Sequence, residues 1–147
     1  MNSKPTEIDN NGTKIWKNSE GQFHRDNDLP AIVRVDNICW WYQNGKLHRD
    51  SDKPAVMDPY AGYEWHQNSK LHRDGNLPAI VHMSGGHCEW WRNDKCIKKM
   101  ICTEEAVEIY KKPHPLINKS KRLSTMCQCD IIYLWNYGHE PGCPLRK

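Results

Sequence analysis

The chain has 147 residues, of which 37% are hydrophobic and 27% charged, and its formal net charge at neutral pH is +3. This length favours one domain, or one small domain with an extension. No stretch approaches the roughly 18 apolar residues of a membrane-spanning helix, so we expect no transmembrane segment. Few aliphatic residues and seven tryptophans suit a thin sheet or repeat array better than a thick core.

Residues 1–11 are predicted to form an N-terminal arm, and they contain no apolar run of the kind found in secretory signal peptides. The chain has seven cysteines, which is an odd number. Together these features predict an intracellular, cytoplasmic protein that is not secreted and whose thiols are free.

Residues 48–50 read His-Arg-Asp, the triplet of the catalytic loop of protein kinases. A kinase also needs a Gly-rich loop, a Lys-bearing strand and an Asp-Phe-Gly triplet. The only phenylalanine, Phe23, follows Gln22, so the last of these is absent and the kinase interpretation fails. His-Arg-Asp instead recurs at 24–26 and 72–74, with a spacing of 24 residues both times.

Other residues repeat with the same period. Pro-Ala follows each triplet in register, at 30–31, 54–55 and 78–79. A tryptophan precedes each turn, at Trp16, Trp41, Trp65 and Trp90. A fourth, altered copy at 90–100 keeps the aromatic pair and an Asn-Asp turn but lacks the triplet. An unbroken period of this length predicts about three and a half stacked units over residues 12–100.

Each unit is predicted to be a β-hairpin. Residues 38–43 are β-branched and aromatic, Asn44-Gly45 is a strong type I′ turn signal, and residues 46–49 form the returning strand. Segments that begin with Pro-Ala, such as residues 30–33, extend the second strand. We therefore predict an all-β fold, an elongated single-layer antiparallel meander of hairpin repeats with two strands in each.

This unit is similar to the MORN repeat, and the form "NGKLHRD…LPA" looks like the variant found in bacteria and in large DNA viruses of amoebae. The chain departs from the MORN pattern where Arg-Asp and Pro-Ala replace the recurrent second-strand glycines. The resemblance covers residues 12–100. It implies an elongated, twisted sheet used for protein interaction, membrane association or dimerisation, with no catalytic residues, and a host cytoplasm if the chain is viral.

The repeated histidines could be considered as a metal or catalytic set. Equivalent atoms in successive repeats lie two strands apart, roughly 9–10 Å, whereas zinc needs its ligands about 2 Å away. We therefore expect a structural ladder, in which each arginine bridges to an aspartate or a backbone carbonyl near the neighbouring loop. The residues assigned to this ladder are His24, Arg25, Asp26, His48, Arg49, Asp50, His72, Arg73 and Asp74.

The four repeated tryptophans are either a core stripe along one face or a stacking platform for single-stranded nucleic acid. A platform needs a basic groove beside it, but residues 1–90 carry 10 basic against 12 acidic side chains. The charge balance favours the core stripe.

Residues 101–147 are predicted to cap the sheet or to mediate dimerisation, because a single-layer sheet leaves its end strands open. Residues 103–113 predict a short helix, with Thr103 as N-cap and Pro113 as its end. Residues 129–137 are the most apolar run and predict a final strand, which serves as a cap or as a homodimer interface. The interface residues assigned here are Ile131, Ile132, Tyr133, Leu134 and Trp135.

Two further groups of residues lie in the C-terminal third. Soft ligands at Cys127, Cys129, His139 and Cys143 permit a tetrahedral zinc site, although the first pair is spaced more closely than usual. The alternative is no cofactor and free, partly buried thiols. A basic patch that could bind an anionic membrane or nucleic acid, or simply be solvated, comprises Lys111, Lys112, Lys119, Lys121 and Arg122.

The enzyme hypothesis depends on a nucleophilic cysteine. Cys39, Cys88 and Cys96 are the candidates, with His48 or His87 as the base, but nothing in the sequence places a base and an oxyanion site together. We therefore expect a non-enzymatic scaffold or adaptor for an unidentified protein partner. The alternative is a peripheral anionic-membrane or nucleic-acid binder that uses the basic C-terminal third.

Overall fold

A computed structural model describes residues 4–102, which contain thirteen strands and no helix. The all-β prediction is confirmed for this part of the chain. The strands are β1 (Glu7–Ile8), β2 (Lys14–Ile15), β3 (Ile32–Val33), β4 (Cys39–Trp40), β5 (Tyr42–Gln43), β6 (Lys46–Leu47), β7 (Val56–Asp58), β8 (Gly62–Glu64), β9 (His66–Gln67), β10 (Lys70–Leu71), β11 (Ile80–His82), β12 (His87–Arg92) and β13 (Lys95–Ile101). The predicted C-terminal helix and final strand lie outside the described residues.

Nine of the strands form one open antiparallel sheet, in the order β1-β2-β3-β4-β7-β8-β11-β12-β13. Sheet order follows chain order, and the two gaps in the numbering are separate hairpins, β5–β6 and β9–β10. The predicted antiparallel meander is therefore present in this sheet. Among the described strands, β1 and β13 are the outermost in this sheet.

The structure corrects the prediction of two strands in each repeat. The aromatic strand expected over residues 38–43 is divided at Trp41, so that β4 joins the large sheet and β5 joins a hairpin. The Trp41 amide donates to the Ala55 carbonyl, whereas the Trp41 carbonyl accepts from the His48 amide. The tryptophan backbone thus changes partner within one residue, and one period holds four short strands, β4 to β7.

The predicted tight turn at Asn44-Gly45 has φ values of 48° and 75°. Both are positive, as a type I′ turn requires. The equivalent turn one repeat later has Ser69 in place of glycine, with φ 65°. The Ser69 hydroxyl accepts a hydrogen bond from the Leu47 amide at 3.1 Å, so the side chain stabilises the edge of the preceding hairpin.

The core lies on one face of the large sheet. Tryptophans and the alanines of the Pro-Ala pairs alternate across it, and the Trp65 amide donates to the Ala79 carbonyl at 2.8 Å, as Trp41 does to Ala55. Ala55 and Ala79 are fully buried, and their small side chains leave room for the indole rings. The adjoining row of buried side chains is Cys39, Met57, Tyr63, Val81 and Cys88.

The prediction that all thiols are free is wrong for Cys39, Cys88 and Cys102, which are disulfide-bonded. Cys88 and Cys102 form a disulfide with their Cα atoms 5.7 Å apart, within the usual range for this bond. Cys88 is buried in β12, and Cys102 follows β13, which pairs with β12. An odd number of cysteines requires only that one thiol has no partner within the chain, and it does not exclude disulfides among the other six.

Alkylation should distinguish Cys88 from Cys96, which is exposed and has a free thiol. In denaturant without reductant, we expect iodoacetamide to modify Cys96 but not Cys88, because the Cys88 sulfur is bonded to that of Cys102. Peptide mapping by mass spectrometry, with and without prior reduction, measures both sites. Modification of Cys88 before reduction would contradict the disulfide.

Candidate functional site

The candidate site is the row of loops that carry the His-Arg-Asp triplets. Two of these loops follow β6 and β10, and the first follows a bridge between Lys17 and Phe23. An open cleft of about 430 Å³ lies between the loops at 48–53 and 72–77. The three residue types of the triplet make three different sets of contacts.

Arg49 connects its own repeat to the preceding one. Its guanidinium lies 3.8 Å from the ring centroid of Trp41. Its Nε and Nη2 donate to the two carboxylate oxygens of Asp28 at 2.7 and 3.1 Å, and Nη1 donates to the Pro54 carbonyl at 3.2 Å. The guanidinium therefore stacks on an aromatic ring with its face, while its N–H groups pair with a carboxylate and a backbone carbonyl.

Arg73 repeats this arrangement one period later. It lies 3.8 Å from the ring centroid of Trp65. Its Nε and Nη2 donate to Asp52 at 2.7 and 2.8 Å, and Nη1 donates to the Pro78 carbonyl at 3.1 Å. In both cases the aspartate stands 21 residues before the arginine, in the loop of the preceding repeat.

Asp28 and Asp52 are the members of the site that sequence reasoning missed. Both have positive φ, 57° and 54°, a conformation that aspartate tolerates better than most residues. Each carbonyl also accepts from an indole Nε1 of the next repeat, from Trp41 and Trp65 respectively, at 2.9 Å. The signal that could have found them was their own recurrence 24 residues apart.

The histidines of the triplets connect to the following repeat. In each, Nδ1 accepts a hydrogen bond from a backbone N–H of the next tight turn, so the ring proton must lie on Nε2. Nε2 in turn donates to the aspartate of the same triplet at 3.0 Å. The Nδ1 bonds are Asn44 to His24 at 3.1 Å, Asn68 to His48 at 3.1 Å and Asn93 to His72 at 3.3 Å.

The aspartates of the triplets hold the histidine rings in place. Asp50 accepts from the Gln43 amide at 2.9 Å as well as from His48, and these bonds lower its pKa. Asp74 has the same two kinds of partner, His72 and Gln67, and its pKa is lowered for the same reason. Arg49 and Arg73 thus connect their triplets to the preceding repeat, and the three histidines connect theirs to the following one.

Asp28 pairs with two cationic side chains, Arg49 and Lys53. Burial removes water from the carboxylate and by itself would raise the pKa. The hydrogen bonds and positive charges of Arg49 and Lys53 outweigh that effect, and the pKa of Asp28 lies below its ordinary value. The Lys53 ammonium lies 2.7 Å from the carboxylate.

The free energy of unfolding should decrease as the pH falls below about 4, because Asp28 binds its proton more weakly in the folded chain. A carboxyl with a lowered folded pKa contributes stability that is present above its unfolded pKa and lost as the pH falls through the folded one. Urea unfolding followed by tryptophan fluorescence across this range measures the slope. Asp28→Asn should show a smaller slope than the wild type, and equal slopes would contradict the assignment.

The fourth repeat keeps only part of the ladder. Trp90 Nε1 donates to the Asn76 carbonyl at 2.9 Å, in the position where the inner repeats have an aspartate. Lys98 lies 4.8 Å from the ring centroid of Trp90, in place of an arginine. Lysine offers no planar fork for bidentate pairing, and Trp90 is correspondingly less buried than the inner tryptophans.

The three most buried tryptophans of the described residues have no exposed ring face to offer a nucleic acid base. Trp16, Trp41 and Trp65 are at most 4% exposed. The guanidinium of Arg25, Arg49 or Arg73 covers one face of each ring. A stacking platform needs exposed rings, so this geometry favours the core stripe.

The candidate nucleophiles do not come together with a base in the described part of the chain. Cys39 and Cys88 are both disulfide-bonded, and Cys39 is also fully buried. Cys96 lies on the exposed strand β13. Neither Cys39 nor Cys96 lines the cleft between the loops.

The remaining predicted groups lie outside residues 4–102. These are the zinc candidates at 127–143, the basic patch at 111–122 and the interface residues 131–135. Within the described residues, there is no cluster of three histidine, cysteine, aspartate or glutamate side chains able to hold a metal ion. The same residues contain no helix long and apolar enough to cross a membrane.

Comparisons with models of protein families, with curated proteins and with solved structures gave no match to this chain.

Proposed function

We propose that this chain is a non-catalytic, MORN-like scaffold or adaptor that binds other proteins in the cytoplasm. In this proposal, residues 12–100 are an elongated single-layer array of β-hairpin repeats. The observation that carries the proposal is strand β13, which is the outermost strand of the large sheet among residues 4–102 and is exposed along all seven of its residues. An exposed edge of this length is a template for pairing with another chain.

The inner repeats differ from β13 in that their characteristic side chains already have partners within the array. Their arginine, histidine and tryptophan side chains are occupied by contacts that hold successive repeats together. Strand β13 instead presents apolar side chains to solvent, with Ile97, Met100 and Ile101 among the large exposed hydrophobic residues. Exposed apolar side chains on the outermost described strand favour contact with another chain.

Site-specific photo-cross-linking tests the proposal. A photoreactive phenylalanine analogue is placed at position 97 instead of Ile97. On irradiation in extracts of cells that make this protein, it should cross-link the chain to a small number of distinct proteins. The same analogue in place of Val35, an exposed residue in the turn between β3 and β4, is the control. The purified partner should then bind the wild-type chain saturably. Equal adducts from both positions, or none from position 97, would count against the proposal.

A further inference from the structure

Strand β13 is the longest strand of the described chain and the last in the sheet. Among residues 4–102 it pairs only with β12, so its other edge meets no described strand. The six-residue strand β12, by contrast, pairs on both sides, with β11 and β13. Within residues 4–102, the sheet therefore ends at β13 with a row of backbone groups that are able to extend it.

The alternation of hydrogen-bonded and non-hydrogen-bonded pairs between β12 and β13 shows which backbone groups of β13 point away from β12. The Cys102 amide donates to the Gly86 carbonyl, which makes these residues a hydrogen-bonded pair of the antiparallel ladder. Such pairs alternate with non-hydrogen-bonded pairs. Met100 is therefore bonded towards β12, whereas the N–H and C=O groups of Lys99 and Ile101 point away from it.

The side chains of β13 give this edge a positive charge. Lys99 is paired with Glu89 at 3.0 Å. Lys95 and Lys98 make no ion pair with a carboxylate among the described residues, and Lys98 lies over the Trp90 ring. Two or more lysines on an edge strand oppose pairing with a second copy, because the same charges would meet across the new ladder.

We propose that β13 binds an extended acidic segment of a partner protein, which adds to the large sheet as a further strand. This inference rests on the proposed scaffold function and names the chemistry of the partner. The outward backbone groups of Lys99 and Ile101 hydrogen-bond to the added strand, and its carboxylates lie near Lys95 and Lys98. Ile97 and Met100 provide apolar contacts on either side of the charges.

A synthetic peptide as long as β13, seven residues, with alternating glutamate and valine, tests this inference on the full chain. Isothermal titration at low salt should show binding that weakens with added salt. Amide NMR shifts should be largest at Lys99 and Ile101. A peptide with lysine in place of glutamate should bind at least about tenfold more weakly, because its lysines then meet the lysines of β13.

Two controls separate backbone pairing from charge alone. The same acidic peptide with N-methyl groups on alternate residues keeps its charge but cannot complete the ladder, and it should bind about tenfold more weakly. The double variant Lys95→Glu and Lys98→Glu should lose the preference for the acidic peptide. Lys46→Glu, at an exposed position on β6 of a separate hairpin, should keep it.

The outcomes also separate this inference from the scaffold function. Equal binding of acidic and basic peptides at β13 would overturn the acidic partner but leave the edge as a protein-binding site. If the N-methylated peptide bound as tightly as the unmodified acidic peptide, binding would depend on charge and not on strand addition. Equally tight binding of a single-stranded oligonucleotide at the same residues would lead to the same conclusion. No binding of any peptide would overturn the inference, whereas the scaffold function depends on the cross-links from position 97.

Discussion

Replacing Asp28 with alanine should lower the free energy of unfolding by about 2–3 kcal/mol. The variant removes the carboxylate to which the Arg49 guanidinium donates two hydrogen bonds, and the Arg49 side chain is only 2% exposed. Breaking a buried ion pair from one side typically costs about 3–5 kcal/mol. The lower figure applies here because the Asp28 side chain is 37% exposed, so water can reach part of the space it leaves.

Urea unfolding followed by tryptophan fluorescence measures this effect. The matched control is Asp26→Ala, which removes a carboxylate that is 77% exposed and accepts a hydrogen bond from the His24 ring. We expect that control to change the free energy of unfolding by less than about 1 kcal/mol. Equal effects of the two substitutions would show that the contact between Asp28 and Arg49 does not hold the first two repeats together.

Replacing Gly62 with alanine should have a larger effect, at least about 3 kcal/mol. Gly62 has φ +136°, and an added Cβ would overlap the Val81 carbonyl oxygen and lie 3.0 Å from the His82 Cα. Those atoms belong to the backbone of β11, which pairs with β8 at this point. The obstacle therefore cannot rotate away as a side chain would, and the two strands must separate.

Gly21→Ala is the control for Gly62→Ala. Gly21 also has positive φ, +77°, but a Cβ there would meet nothing within 4 Å. Its substitution should cost only the backbone strain of a left-handed residue, about 1–2 kcal/mol. The difference between the two variants in urea unfolding isolates the overlap with β11. A Gly62→Ala variant as stable as Gly21→Ala would contradict the close approach of β8 and β11.

Several parts of this fold were predictable because they depend on local sequence. The Asn44-Gly45 turn needs positive φ at both positions, and few residue pairs tolerate it. The period of 24 residues showed that the triplets belong to a repeat and not to a kinase loop. The predicted bridge from each arginine to an aspartate or a carbonyl also has a counterpart in the contacts of Arg49 with Asp28 and Pro54.

Other parts depend on contacts that local sequence does not reveal. The division of the aromatic strand follows from Trp41, whose N–H and C=O bond to different neighbours, and no propensity distinguishes that residue from a continuous strand. The choice of Asp28 over other aspartates depends on which loop lies against Arg49. The pairing of Cys88 with Cys102 depends on the register between β12 and β13, which composition cannot supply.

The central claim is that the His-Arg-Asp triplets join successive repeats, and NMR of the histidine rings tests it most directly. Long-range ¹H–¹⁵N spectra should show His24, His48 and His72 with the proton on Nε2 at neutral pH. Scalar couplings across the N–H···Nδ1 bonds should connect these rings to the backbone amides of Asn44, Asn68 and Asn93. Protons on Nδ1, or no couplings to those amides, would contradict the ladder.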